Sequence, residues 1–111
     1  MAANKSKKKV FRIELKSSGR FKRLLADPSG NGLRCGLVTL RPGESVGEHE
    51  TTGKEEVLIV LNGNAAVYYG KNKKIKAGRN NFVYIPVDTS HNVKNSGKDI
   101  LQYIYVTVKL S

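Results

Sequence analysis

Tryptophan is absent from this chain, cysteine occurs once, at Cys35, and histidine only twice, at His49 and His91. A single thiol closes no internal disulfide and builds no thiolate metal cluster, so the fold has to hold together without such staples. Long apolar runs are missing too: none exceeds five residues, as in Val57 to Leu61, which excludes a membrane-spanning helix. The first residues lack the apolar stretch of a secretory signal, so a soluble cytoplasmic protein with no membrane partner is expected. The glycines at 30, 32, 36, 43 and 47 sit among strand and turn residues. No helix start follows them, which excludes a phosphate-cradling loop. Neither histidine has a nucleophile in a motif context, so Ser-His-Asp and Cys-His hydrolytic arrangements are excluded as well.

Acidic residues are scarce. Nine stand against 20 basic ones, a formal net charge of +11, and the imbalance is concentrated. Lys5, Lys7, Lys8, Lys9, Arg12, Lys16, Arg20, Lys22 and Arg23 fall in the first 25 positions against Glu14 alone, whereas Glu44, Glu48, Glu50, Glu55 and Glu56 cluster in the middle. Residues 1–9 read as a flexible basic tail, and residues 10–111 as one domain. The lysines of the tail come without interleaved aromatic residues for base stacking, which argues for a solvated end and against nucleic acid as a partner. Lys71, Lys73, Lys74, Lys76 and Arg79 form a second basic stretch, read as a solvated, aggregation-resisting hairpin edge.

What the chain has in abundance is β-formers. Valine and isoleucine together number 17, against 10 leucines and 6 alanines, and turn residues recur every 8 to 12 positions, the pattern of an all-β fold. Strands are predicted at 10–15, 21–25, 33–41, 46–51, 55–61, 65–69, 73–77, 82–86, 91–94 and 100–109, with a loop at 27–32. Asn62-Gly63-Asn64 between two β-rich runs is a hairpin signal. Ten short strands without a helix to cover a sheet require a sandwich or a closed barrel.

Several strands are apolar on both faces. Leu58 and Val60 oppose Val57, Ile59 and Leu61, and Ile100, Ile104, Val106 and Val108 oppose Leu101, Tyr103 and Tyr105. One face lines the interior; the other calls for a second covering surface, and a homodimer is the expectation.

The two histidines sit on β segments beside turns. On a strand starting near Val46, alternation turns His49 and Thr51 one way and Glu48 and Glu50 the other. After the turn at Thr52-Gly53-Lys54, the returning strand can bring Glu55 or Glu56 to the histidine face; Glu56 shares its face with Leu58 and Val60 and is the better choice. The stretch GESVGEHETTGKEEVLIVLNG sets Gly43, five residues, His49, then Thr51, four residues, Glu56, six residues, Gly63. Farther on, Pro86 precedes Asp88 and His91, and three residues separate His91 from Asn95. In these two motifs, across residues 43–95, the chain resembles the cupins. It departs from their pattern at Thr51, where a second histidine is usual, at Asp88, where a glycine is usual, and at Gly78, two positions farther from Pro86 than the motif asks.

The resemblance implies a double-stranded β-helix, a small jelly-roll barrel, with a divalent metal ion held in its mouth by His49, Glu56 and His91. Two neutral imidazoles and a carboxylate suit iron, manganese, nickel or zinc and leave positions open for water or substrate. Thr51, Tyr84, Gln102 and Tyr103 are candidates to line the mouth and hydrogen-bond a ligand, and Cys35 is read as a buried, inert thiol. Two functions are consistent with this reading. One is a metal-dependent enzyme, of dioxygenase or isomerase class, acting on a small anionic molecule steered in by the positive charge. The other is a non-enzymatic ligand-binding or sensor protein whose metal site has degenerated at Thr51.

Overall fold

A computed structural model describes residues 10–16, 19–25 and 32–110; the basic tail expected over 1–9 lies outside them. The described residues form nine strands: β1 (Phe21–Leu25), β2 (Leu33–Leu40), β3 (His49–Glu50), β4 (Lys54–Asn62), β5 (Asn64–Tyr69), β6 (Lys73–Gly78), β7 (Phe82–Ile85), β8 (Ser90–Asn95) and β9 (Leu101–Lys109). They form two antiparallel sheets, one in the order β1-β2-β9-β4-β7 and the other β3-β8-β5-β6, and no helix long and apolar enough to cross a membrane is found among the described residues. The all-β expectation holds.

Alternation sorts each strand into an inner and an outer set. The inner side chains of the larger sheet include Val38, Leu40, Leu58, Val60, Val83, Ile85, Leu101 and Tyr103. Those of the smaller sheet include Ala65, Val67, Ala77 and Val93, and together they make one continuous core. The register stacks them in rows: Leu40 pairs with Leu101, Val38 with Tyr103, Gly36 with Tyr105 and Arg34 with Thr107 along β2 and β9. Across β4 and β9, Val60 pairs with Tyr103, Leu58 with Tyr105 and Glu56 with Thr107. The interior thus passes from aliphatic at one end to polar and charged at the other, because the inward residues of all three strands change character at the same level. That polar end is where a site can form.

Three local expectations are corrected. The segment 10–15 is no strand: residues 10–16 carry no ladder, and Val10 and Phe11 are 103% and 62% exposed. β-propensity in a short run does not by itself supply a partner strand. The strand expected over 46–51 shrinks to His49–Glu50, since Gly47 takes φ +96° and breaks the ladder after the bridge between Ser45 and Lys94. The Asn62-Gly63-Asn64 turn does not close a hairpin: β4 bonds β7 and β9, β5 bonds β6 and β8, so the turn is a corner carrying the chain between sheets. Gly63 makes it with φ +84°, and a Cβ there would meet the Ile100 carbonyl oxygen at 2.5 Å.

Candidate metal centre

The pairing of β3 with β8 sets His49 directly opposite His91, and their rings meet edge to face with centroids 4.2 Å apart. Each imidazole is oriented the same way. Nδ1 of His49 lies 3.1 Å from the Gly47 carbonyl oxygen, and Nδ1 of His91 lies 3.1 Å from that of Thr89. A carbonyl only accepts, so both Nδ1 atoms carry the proton and both Nε2 atoms present a lone pair to the barrel. This is the orientation in which an imidazole is held for a metal.

Glu56 reaches the same point from β4 in the other sheet. Its Oε1 stands 3.0 Å from His91 Nε2, with the His91 side chain fully buried and that of Glu56 8% exposed. Nε2 nevertheless has no hydrogen-bond partner, because its proton sits on the far side of the ring. Two buried acceptors facing each other at this distance repel unless a cation lies between them. A proton serves in part: burial alone disfavours the imidazolium, but the hydrogen bond that a protonated Nε2 donates to Glu56, the Thr89 carbonyl and the Glu56 charge outweigh it and hold the His91 pKa above the usual histidine value. A divalent ion would answer the same need and could engage His49 as well, since ligand atoms of His49, Glu56 and His91 all lie within 4.8 Å of one another. The donor set, two imidazole nitrogens and one carboxylate, fits such an ion.

Thr51 is drawn into the same region but is committed elsewhere. It is buried, its hydroxyl donates to the Pro86 carbonyl at 2.7 Å, and it accepts from the Thr89 N–H at 2.9 Å. Its backbone carbonyl also accepts from Asp88 N–H at 2.9 Å. Thr51 therefore ties the β3–β4 turn to the β7–β8 turn that carries His91. Asp88 adds a second tie, its Oδ1 accepting from Gly53 N–H at 3.1 Å. It adopts φ +55°, the left-handed backbone that a glycine takes more easily. Asn95, the last residue of the second motif, is buried and structural: its Nδ2 donates to the carbonyls of Leu40 and Asp99, and its Oδ1 accepts from Gly97 N–H.

His49 and Glu56 open onto a cavity of about 450 Å³ whose walls also include Thr51, Val38, Tyr103 and Tyr105, with Phe21, Arg34, Lys54 and Glu48 toward the rim; the fully buried His91 stands behind its lining. Burial, with Glu56 and Tyr105 nearby, holds the Tyr103 phenol well above its usual pKa, so it stays a neutral hydroxyl. Two expected lining residues are corrected. Tyr84 lies beyond the barrel wall, 52% exposed, its hydroxyl donating to Glu55 at 2.5 Å. Gln102 bonds Thr39 Oγ1 at 3.3 Å on the outer face, one residue out of phase with inward Leu101 and Tyr103. Arg34 and Lys54 were missed; reading β2 and β4 in steps of two from Val38 and Leu58 finds both. Cys35 lies half-buried on the outer face of β2, and burial raises its thiol pKa, in keeping with an unreactive thiol.

Comparison with known proteins places these features among relatives. The cupin-domain family profile matches residues 36–107. An oxalate-binding protein of Thermotoga maritima is 33% identical over 74 residues, covering 66% of this chain and 60% of that protein. A mannose-1-phosphate guanylyltransferase of Salmonella montevideo is 35% identical over 69 residues, 62% of this chain but 14% of that enzyme. The chain thus spans about one seventh and three fifths of these two relatives. Among solved structures, a predicted oxalate decarboxylase of Thermotoga maritima superposes with a TM-score of 0.75 at 23% identity, over 81% of this chain and 79% of that one. A double-stranded β-helix protein of Methanocaldococcus jannaschii gives 0.76 at 18% identity, over 92% and 91%. At these identities the two structures establish the fold.

Proposed function

The chain belongs to the cupin family, and from that premise we propose that it is a single-barrel protein holding one divalent metal ion on His49, Glu56 and His91, where it binds a small anionic oxygen-donor molecule. The observation that carries this reading is the buried Nε2 of His91, without a hydrogen-bond partner and 3.0 Å from the Glu56 carboxylate. Iron, manganese, nickel and zinc all accept this donor set. When bound, the ion supplies a Lewis acid that polarises an attached oxygen and, if iron or manganese, a redox centre. The chain's own residues do the rest: the Gly47 and Thr89 carbonyls orient the imidazoles, Thr51 fixes the turn that carries His91, and Tyr103 and Tyr105 wall the cavity. A relative that binds oxalate supports a carboxylate as the ligand.

Two activities fit such a site, turnover as an oxygenase or isomerase and ligand capture without turnover. The second is favoured by Thr51, whose hydroxyl is spent on Pro86 and Thr89 and leaves three protein ligands. We also propose that the barrel pairs with a second copy through the outer face of the larger sheet. Val57, Ile104 and Val106 form its centre, and Ile59 and Phe82 are exposed beside them.

Elemental analysis of the purified chain, as isolated and after reconstitution, tests the metal. About one ion per chain, lost in both Glu56→Gln and His91→Ala while the circular-dichroism spectrum stays β, is the expected result. No ion under any condition refutes the reading.

A further inference from the structure

The wall of the cavity across the sheet from the three ligand residues is basic. Arg34 on β2 and Glu56 on β4 both pair with Thr107 on β9, so the three form one row across adjacent strands. At a strand spacing of about 4.8 Å, the Arg34 backbone stands roughly 10 Å from that of Glu56. Arg34 therefore reaches into the cavity toward the Glu56 corner without being able to crowd it. The row beneath is built to leave this space open. A Cβ on Gly36 would lie 2.7 Å from the Tyr105 ring; with no Cβ there, the ring lies over β2 as a floor under Arg34. Lys54, two residues before Glu56 on the same face of β4, adds a second cation to the wall.

These cations are uncommitted. Among the described residues Arg20 and Arg41 both pair with Glu44, whereas neither Arg34 nor Lys54 has a carboxylate within ion-pair distance. The acids of the rim lie on the β3 side and are engaged there: Glu48 accepts from Ser90 and Glu50 from Thr52. Of five ionised side chains lining the cavity, two are basic and three acidic, and a divalent ion turns the balance positive. Low-dielectric walls focus such a field on whatever enters.

We propose that the ligand has two anionic ends, one that chelates the metal and a second, a few carbons away, that Arg34 and Lys54 receive. The inference rests on the metal reading above and deepens it. A guanidinium offers two parallel N–H donors to a carboxylate or a phosphate group, and Phe21 and Tyr105 supply apolar surface for the intervening carbons. The ligand class is then a small 2-hydroxy or 2-oxo acid bearing a further carboxylate or phosphate, in preference to a monocarboxylate with the same chelating end.

The test begins with manganese(II) titrated alone into wild type and Arg34→Gln, followed by two matched pairs of acids, lactate with malate and glycerate with 3-phosphoglycerate, each titrated into the loaded protein by calorimetry. The expected result is equal manganese affinity in both proteins, at least a tenfold preference of wild type for one of the doubly anionic acids over its partner, and loss of that preference in Arg34→Gln. Arg34→Lys, which keeps the charge without the fork, retains part of it. Which pair shows the preference tells carboxylate from phosphate. Equal binding within both pairs, or a preference that survives Arg34→Gln, overturns the inference and leaves the metal reading standing. Failure of manganese and of every other divalent ion to bind wild type removes the metal reading and the inference with it.

Discussion

Thr51 shows how one side chain can occupy a ligand position of a motif and serve a different purpose. Its hydroxyl donates to Pro86 and accepts from Thr89, so replacing it with the isosteric valine leaves the partly buried Pro86 carbonyl and Thr89 N–H without that partner. Unfolding by urea should show Thr51→Val less stable by about 1–3 kcal/mol, with metal content unchanged at the stoichiometry of wild type; loss of the ion with full stability would make Thr51 a ligand. His91 supplies the second prediction at this scale. Its pKa is raised because Glu56 and the Thr89 carbonyl together outweigh burial. Proton NMR of the metal-free protein, which has only two imidazoles to follow, should find the His91 pKa above the ordinary value in wild type and lower in Glu56→Gln, where only the Thr89 carbonyl is left to oppose burial. For a raised pKa, the stabilisation is fully present below the unfolded value of about 6.5 and is lost as pH rises through the folded value. The thermal midpoint of metal-free wild type should fall over that window, and that of Glu56→Gln should fall less.

Among the elements, the corner at Gly63 decides the most. It moves the chain from β4 in one sheet to β5 in the other, and it combines a positive φ with backbone only 2.5 Å from where a Cβ would stand. Gly53 also has a positive φ, +67°, but faces open space. Alanine at Gly53 should cost about 1 kcal/mol, the conformational term alone, and alanine at Gly63 roughly 3 kcal/mol or more, because the strands must also separate. Denaturant midpoints of the two variants measure the difference; equal losses would mean that the corner relaxes freely. The same element explains a misreading. Asn-Gly between β-rich runs is a hairpin signal, and the runs do turn at Gly63, but local sequence carries no information on which strands the flanking backbones will bond. By contrast the Gly70-Lys71-Asn72 turn, with positive φ at Gly70 and Asn72, joins strands that do pair, with Tyr69 opposite Lys73.

For the molecule as a whole, charge and apolar surface are segregated. The outer face of the larger sheet is centred on Val57, Ile104 and Val106, a surface free of charge at its centre on a chain of formal net charge +11. A protein of that charge repels its own copies through most approaches, and a neutral apolar face is where two of them can meet. Light scattering at micromolar concentration should give twice the chain mass for wild type and the single-chain mass for Ile104→Lys, with the β spectrum and metal content of the variant intact. A wild type of single-chain mass would refute the dimer.

The sequence by itself determined the all-β character, the inward and outward faces of β4 and β9, and the candidate cluster of His49, Glu56 and His91. Each of these rests on spacing along one chain segment: period-two alternation sorts faces whatever the partner strand, and the intervals from Gly43 through His49 and Glu56 to Gly63 could be matched to a family pattern. Only the tertiary structure decided what meets across the barrel. It brought Glu56 from one sheet to His91 in the other, turned Gln102 and Tyr84 outward, spent the Thr51 hydroxyl on the β7–β8 turn, and ranged Arg34 and Lys54 along the cavity wall. Those outcomes follow from strand order and register, which are contacts between residues far apart in the chain, and no local periodicity encodes them.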